Sequence, residues 1–436
     1  MQKTGFLVAT TAIGLVLGLT QAQGAGFKIN ETRTTANATA GAAAIGGDVT
    51  AMWNNPATMT SLDGHHFAFN GAFIIPDTKF KKGSGTNVAT GNNGGNGGEF
   101  AFVPAVYGMW SVQDNMKIGL ALTVPFGLAT KYDKTWVGRF HSVHSELKTL
   151  NINPNVAYKI NDMWSVGLGV SFQYADATLE KKINNASFGA AGEANSKVTG
   201  DDWGAGFNVG VLFEPMKGTR LGLAYRSKIT HGLRGKIENT GLATANAAFL
   251  TALNLSNGTT KVSGDLTTPE SLDFSVSQEL GEAWTLLGSV VWTRWNRFNE
   301  LGFKRQDNVA VNGGNVGPVE RQGWKNVFMF SLGADWKFAK DWVAHFGVAY
   351  DQSPVSKQHR SPRLPGNDRT WLATGLDWSV TDWAKVGLSY TYIFVKDAKI
   401  DITNGVNPFV PGSGNRLQGK FESDIHIIGI NANFKF

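Results

Sequence analysis

His426-Ile-Ile-Gly-Ile-Asn-Ala-Asn-Phe-Lys-Phe436 ends the chain with apolar and polar side chains in alternation. Successive side chains of a strand point to opposite faces, so Ile428, Ile430, Ala432, Phe434 and Phe436 share one face. Gly429, Asn431, Asn433 and Lys435 share the other. One face suits lipid and the other suits water. Such a strand can lie in a bilayer only if every backbone donor and acceptor is paired, which for strands requires a closed barrel. The reading is an all-β protein, a transmembrane antiparallel β-barrel.

The opposite end agrees. Lys3 supplies a positive charge, Gly5 to Leu19 an uncharged apolar run and Ala22-Gln23-Gly24 a small-x-small site, the pattern of a secretory signal peptide over residues 1–24. The run is shorter than the roughly 20 residues a single membrane anchor needs. Beyond residue 24 no apolar stretch of that length exists, which excludes a helical membrane protein. The 436 residues include 53 glycines, 27 phenylalanines and 14 tryptophans with only 17% charged residues, too glycine-rich and aromatic for an ordinary soluble enzyme. Zero cysteines excludes disulfide staples and thiol chemistry. The net charge of +6 contains no long basic run, so nucleic acid is not an expected partner.

About fourteen strands can be placed, near 65–76, 99–111, 115–126, 146–160, 163–182, 203–215, 219–238, 268–280, 283–302, 324–338, 341–353, 367–380, 383–401 and 417–436. Short connections such as Asn161-Asp162, Gly281-Glu282 and Thr381-Asp382 read as periplasmic turns. Long polar ones, including 183–202 and 239–267, read as extracellular. Trp164, Trp284, Trp342 and Trp383 follow short turns, and Trp110, Trp336 and Trp378 precede them. They therefore cluster at one level, as an interfacial aromatic girdle does. Together these place residues 65–436 as a barrel in a Gram-negative outer membrane, with a polar lumen and an apolar exterior. The expected surroundings are outer-membrane lipid and lipopolysaccharide, the C-terminal strand addresses the outer-membrane assembly machinery, and the chain is expected as a monomer.

Residues 25–64 break the pattern. Ala25-Gly26-Phe27-Lys28-Ile29-Asn30-Glu31, the small-residue stretch Ala36 to Gly47, and Trp53-Asn54-Asn55-Pro56-Ala57 lack period-two alternation and carry few large apolar residues. They suit a hatch of short helices plugging the lumen. These residues, with Leu62-Asp63-Gly64, resemble the N-terminal signature of the long-chain fatty acid transporter (FadL) family, which includes the TodX-type aromatic hydrocarbon channels. Further matching pieces run the length of the chain: Phe126-Gly127-Leu128-Ala129-Thr130, Ala224-Tyr225-Arg226-Ser227, Asp351-Gln352-Ser353-Pro354-Val355 and Asn367-Asp368-Arg369-Thr370-Trp371-Leu372.

The resemblance implies passive uptake of hydrophobic compounds, long-chain fatty acids or related lipids and hydrocarbons, with no cofactor. Substrate is captured outside, enters a buried pocket and leaves sideways through the wall. An aromatic hydrocarbon channel is the alternative. In strand 115–126, parity puts Met116, Ile118, Leu120, Leu122 and Val124 on the lipid face before Pro125-Phe126-Gly127. Proline cannot donate to the ladder, so either the strand ends here or its pairing breaks; the resemblance favours a kink and a lateral opening at Pro125, Phe126 and Gly127. It also implies a gate of Ala25, Gly26, Phe27, Asn55, Pro56 and Ala57, with the Asn55-Pro56 pair against the opening.

A carboxylate cargo needs a cation when buried. Parity turns Lys181 inward, and the resemblance puts it at a head-group position where the family carries arginine. A second basic position of the family falls at Arg321 or, one residue earlier, at Glu320. The family's outer groove falls on Phe188, Phe249, Leu250 and Leu253, the last three in an Ala-rich segment patterned as a short amphipathic helix. Enzyme readings are weaker. His141 and His144 have helical spacing but no evident third ligand, so no metal site is expected, and no Ser–His combination suggests a lipid hydrolase. A general porin is the remaining rival.

Overall fold

The terminal strand closes the barrel. The computed structural model describes residues 26–88, 90–245, 247–307, 314–317, 319–404 and 414–436. In it β20 (Asn415–Lys435) pairs antiparallel with β1 (His66–Lys82), from Lys82↔Gly419 to His66↔Lys435. Ile428 and Ile430 face outward as their parity requires, and Asn431 and Asn433 are buried inside.

The wall runs in chain order through β2 (Ala101–Gln113), β3 (Met116–Thr123), β4 (Gly127–Lys131), β5 (His144–Lys159), β6 (Trp164–Asn184), β7 (Glu193–Met216), β8 (Thr219–Arg226) and β9 (Ile229–Thr240). It continues through β10 (Gly258–Thr268), β11 (Ser271–Leu280) and β12 (Trp284–Thr293). After three two-residue strands, β13 (Glu300–Leu301), β14 (Lys304–Arg305) and β15 (Glu320–Arg321), come β16 (Val327–Ala339), β17 (Trp342–Asp351), β18 (Arg369–Thr381) and β19 (Ala384–Asn404). Three staves are each split into two strands, β3/β4, β8/β9 and β10/β11, so the closed antiparallel wall has fourteen staves. Closure leaves no strand edge for lipid to meet, except where a stave is broken.

The tryptophans form the girdle. Trp284 lies directly across the ladder from Trp336, rings 5.4 Å apart, and Trp342 from Trp378 at the same separation. Trp164 stacks on Phe213 at 4.3 Å. Each such pair adds about 0.5–1.5 kcal/mol beyond burial and fixes register near the turns.

Three expectations are corrected. First, strand extends into both 183–202 and 239–267: β6 and β7 stay paired to Asn184↔Glu193, and β9 and β10 to Asn239↔Gly258. Hydrophobic alternation marks only the lipid-facing part of a stave, and the ladder continues above it on backbone bonds alone. Second, the lumen is not uniformly polar, because Ile74, Ile425 and Ile427 face inward and pack with Ile29 of the hatch. A plugged barrel has an interior core that an open pore lacks. Third, Val124 is buried in that same cluster and does not face lipid, since the strand has left the wall after Thr123.

The hatch contains a short helix, α1 (Thr34–Ala38), and two 3-10 turns, Val49–Trp53 and Pro56–Ser61. Asp48 caps the first turn by accepting from Thr50 N, and Asn55 caps the second by accepting from Ala57 N. Arg33 ties them together, donating from Nε to Thr50 Oγ1 at 2.9 Å and from Nη1 to Asn54 Oδ1 at 2.8 Å. The hatch sits on inward-facing glycines of the wall: a Cβ on Gly347 would lie 2.1 Å from Thr39 C, and one on Gly210 2.0 Å from Asn55 Oδ1.

Candidate functional site

The stave β3/β4 is interrupted as its proline demands. β3 pairs with β2 only as far as Leu122↔Val106, and β4 pairs with β5 but not with β2. Residues Ala101 to Ala105 of β2 therefore have no β3 neighbour. A wall gap is costly where backbone donors would face lipid unpaired. Two prolines remove donors at its rims, Pro125 on one side and Pro104 on the other. Pro104 was detectable in the sequence as a proline inside a strand. Phe126 is held by Thr149, whose hydroxyl accepts from Phe126 N at 3.0 Å and donates to Phe126 O at 2.6 Å.

The hatch fills the inner side of the break. Ile29 N donates to Pro125 O and Gly127 N to Phe27 O, both at 2.8 Å, so Phe27 to Ile29 act as a short strand against the displaced segment. The Phe27 ring is enclosed by Trp295 at 4.7 Å, Phe298 at 5.3 Å, Trp324 at 5.6 Å and Phe126 at 5.9 Å. Gly26, at φ +66°, comes so close to Trp295 that a Cβ would sit 2.6 Å from its ring. Buried Glu270 positions this cage. It accepts from Arg294 at 3.1 Å and from Arg297 at 2.9 Å, the cap and the last residue of the turn that carries Trp295. Beside the break a cavity of about 80 Å³ is lined by Lys28, Asn30, Trp53, Phe126, Arg226 and Asp273.

Lys181 points inward from β6, its ammonium 3.6 Å from Glu320 Oε1. Burial pushes the Glu320 carboxyl up, but Lys181, Arg363 and His141 outweigh it and hold it below its ordinary range. Arg363 is buried and donates from Nη1 to Ser145 Oγ at 2.8 Å. Burial lowers the His141 pKa to about 4, so its ring is neutral at pH 7. An apolar cluster joins this charged end to the cage: Ala175 and Ala177, on the Lys181 face of β6, and Leu364, next to Arg363, belong with Leu147, Phe126 and Phe27.

The remaining expected residues are more scattered. Arg321 is exposed and turned away from Lys181, and the inward member of that pair is Glu320. Asn55 and Pro56 dock on β6 and β7, Asn55 Nδ2 donating to Val211 O at 2.9 Å, with Ala57 close to Gly167. The hatch residues that meet the break are Phe27 to Ile29. Ala25 lies outside the described residues. Phe188 O accepts from Ala245 N at 3.0 Å, which brings the two outer loops together. Leu250 and Leu253, in and just after a second helix, α2 (Ala247–Ala252), are half-buried there; the Phe249 side chain is outside the described residues. His141 and His144 have separate partners, Asn415 O and Glu99. Cys-, His- or carboxylate-based metal clusters are absent among the described residues. Arg363, Trp295, Phe298 and Trp324 were missed because nothing local distinguishes them from other inward residues.

A girdled fourteen-stave barrel, filled by a hatch and broken at one stave behind an aromatic stopper, is an outer-membrane transport channel. The chain belongs to the outer membrane protein transport family (OMPP1/FadL/TodX), whose model matches residues 15–436; these are channels, not enzymes. It is 30% identical over 460 residues to the long-chain fatty acid transport protein of Salmonella typhi, covering 100% of both chains, and 28% identical over 471 residues to that of Escherichia coli K12, again over 100% of both. The crystal structure of a Pseudomonas aeruginosa FadL homologue superposes with a TM-score of 0.84, covering 94% of this chain and 100% of the other at 24% identity. That likeness concerns the fold.

Proposed function

We propose that the protein takes up long-chain carboxylates, fatty acids above all, by passive diffusion and releases them sideways into the outer membrane. The observation that carries this is the continuous apolar cluster between a cationic end, Lys181 with Arg363, and the Phe27 cage at the wall break. An amphiphile matches both ends. Each buried methylene contributes about 0.8 kcal/mol, so a dry route that ends in lipid favours a long chain where a water-filled pore gains it nothing.

Capture begins at the outer loops around Phe188, Leu250 and Leu253. The head group then meets Lys181 while the tail lies along Leu147 and Phe126. Phe27 holds the cage in the closed state, and its withdrawal with the N-terminal hatch segment opens the path to the gap between Pro104 and Pro125. Asn55, Pro56 and Ala57 anchor the hatch on β6 and β7 during this motion. Residues 1–24 are taken as a leader removed on export. The barrel works as a monomer within lipid and lipopolysaccharide, with Phe436 read by the assembly machinery. Mass spectrometry of molecules copurifying with the detergent-extracted protein, joined to uptake by a strain lacking it, tests the reading. Bound fatty acid with fatty-acid uptake restored by the gene is expected; hydrocarbon uptake alone favours the aromatic alternative.

A further inference from the structure

Glu320 stands where a bound anion would stand. It belongs to β15, which pairs only with β13 and lies outside the barrel ladder, so it can move without breaking a wall bond. Its 3.6 Å separation from Lys181 is longer than a hydrogen bond, so the pair is loose. Arg363 and His141 are near enough to pull electrostatically on the same carboxylate. The Arg363 guanidinium makes one side-chain bond, through Nη1 to Ser145; its other donors bond to nothing among the described residues.

We propose that Glu320 is a built-in counter-ion, which the carboxylate of an incoming amphiphile displaces from Lys181 and Arg363. The chemistry follows from the charge count. Two cations and one carboxylate leave a single positive charge, since His141 is neutral at pH 7. A second anion beside Glu320 would be repelled, so the ligand takes its place. A neutral ligand gains nothing from the exchange. Glu320 thus lowers carboxylate affinity selectively, which keeps the head group from being trapped on its way to the membrane. Arg363 is buried, and a buried charge without a partner is costly, so the resting site needs Glu320 when no ligand is present.

The inference rests on the transport reading above, and its test separates the two. Binding of oleic acid and of oleyl alcohol is measured at pH 8 in a neutral detergent, for the wild type, Glu320→Gln and Glu320→Asp, each checked for the heat-modifiable migration of a folded barrel. Glu320→Gln is expected to bind the acid roughly two- to fivefold more tightly, the size of a partly exposed charge interaction, and the alcohol unchanged, with Glu320→Asp between. Acid affinity that is unchanged or weaker in Glu320→Gln, or an equal gain for acid and alcohol, overturns the counter-ion. If Glu320→Gln does not fold, Glu320→Asp decides by the same comparison. A folded wild type that binds neither ligand overturns the transport reading as well.

Discussion

At the residue scale the proposed route turns on a few charged and aromatic side chains placed inside an otherwise well-paired wall. In the proposed route Lys181 offers a single charge without the two-pronged donor geometry of an arginine, so a modest contribution is expected. Lys181→Ala should weaken fatty-acid binding by about 1 kcal/mol, roughly fivefold in Kd, and leave toluene binding unchanged. Equal losses for both ligands, measured by titration in detergent, would argue against a head-group role. Glu31 of the hatch makes a pH prediction. Burial pushes its carboxyl up from the ordinary 4.5 to about 7; Arg369 pulls against this and Asp351 adds to it. The docked hatch therefore holds a proton that a solvated Glu31 would lose. Its contribution is complete below pH 4.5 and is lost as pH rises through 7. Leak events in planar bilayers should become more frequent between pH 5.5 and pH 8, and Glu31→Gln should flatten that dependence.

Elements decide where the wall opens. The alternation of β3 stops at Thr123, and Pro125 has no N–H to return it to the ladder. Replacing Pro125 by Val and Gly127 by Ala supplies a donor and a strand-compatible backbone, so β3 and β4 should join as one stave. Uptake should fall to background while heat-modifiable folding persists; sustained uptake would place the exit elsewhere. The turn Trp295–Arg297 offers a second check. Glu270→Gln keeps the shape but removes the charge between Arg294 and Arg297, loosening the turn that presents Trp295 to Phe27. Tryptophan fluorescence should shift and basal leak should rise, with girdle and barrel intact.

On the scale of the whole molecule the hatch is held in the lumen by polar bonds, close-packed glycines and an apolar core shared with the wall. Deleting residues 25–57 should leave a folded barrel that conducts ions steadily, and conductance equal to that of the full chain would contradict a plug. Much of this architecture was legible in the sequence. The strand period, the tryptophans beside short turns, the unpatterned residues 25–64 and the proline after β3 are all local signals, because pleat, turn and ladder chemistry act between neighbours along the chain. The extracellular ladders of β6, β7, β9 and β10 were not legible, since backbone bonds hold them above the region where lipid enforces alternation. Nor was the site itself. Phe27, Phe126, Trp295, Phe298 and Trp324 meet only after the barrel has closed and the hatch has entered it. The same is true of Lys181, Glu320 and Arg363, and of Asn55 against Val211. The sequence by itself determined a barrel, an unpatterned N-terminal segment suited to a plug, and the point near Pro125 where a strand either ends or breaks. Tertiary closure alone decided which side chains face one another across the lumen, because those partners are separated by many residues and no local periodicity records them.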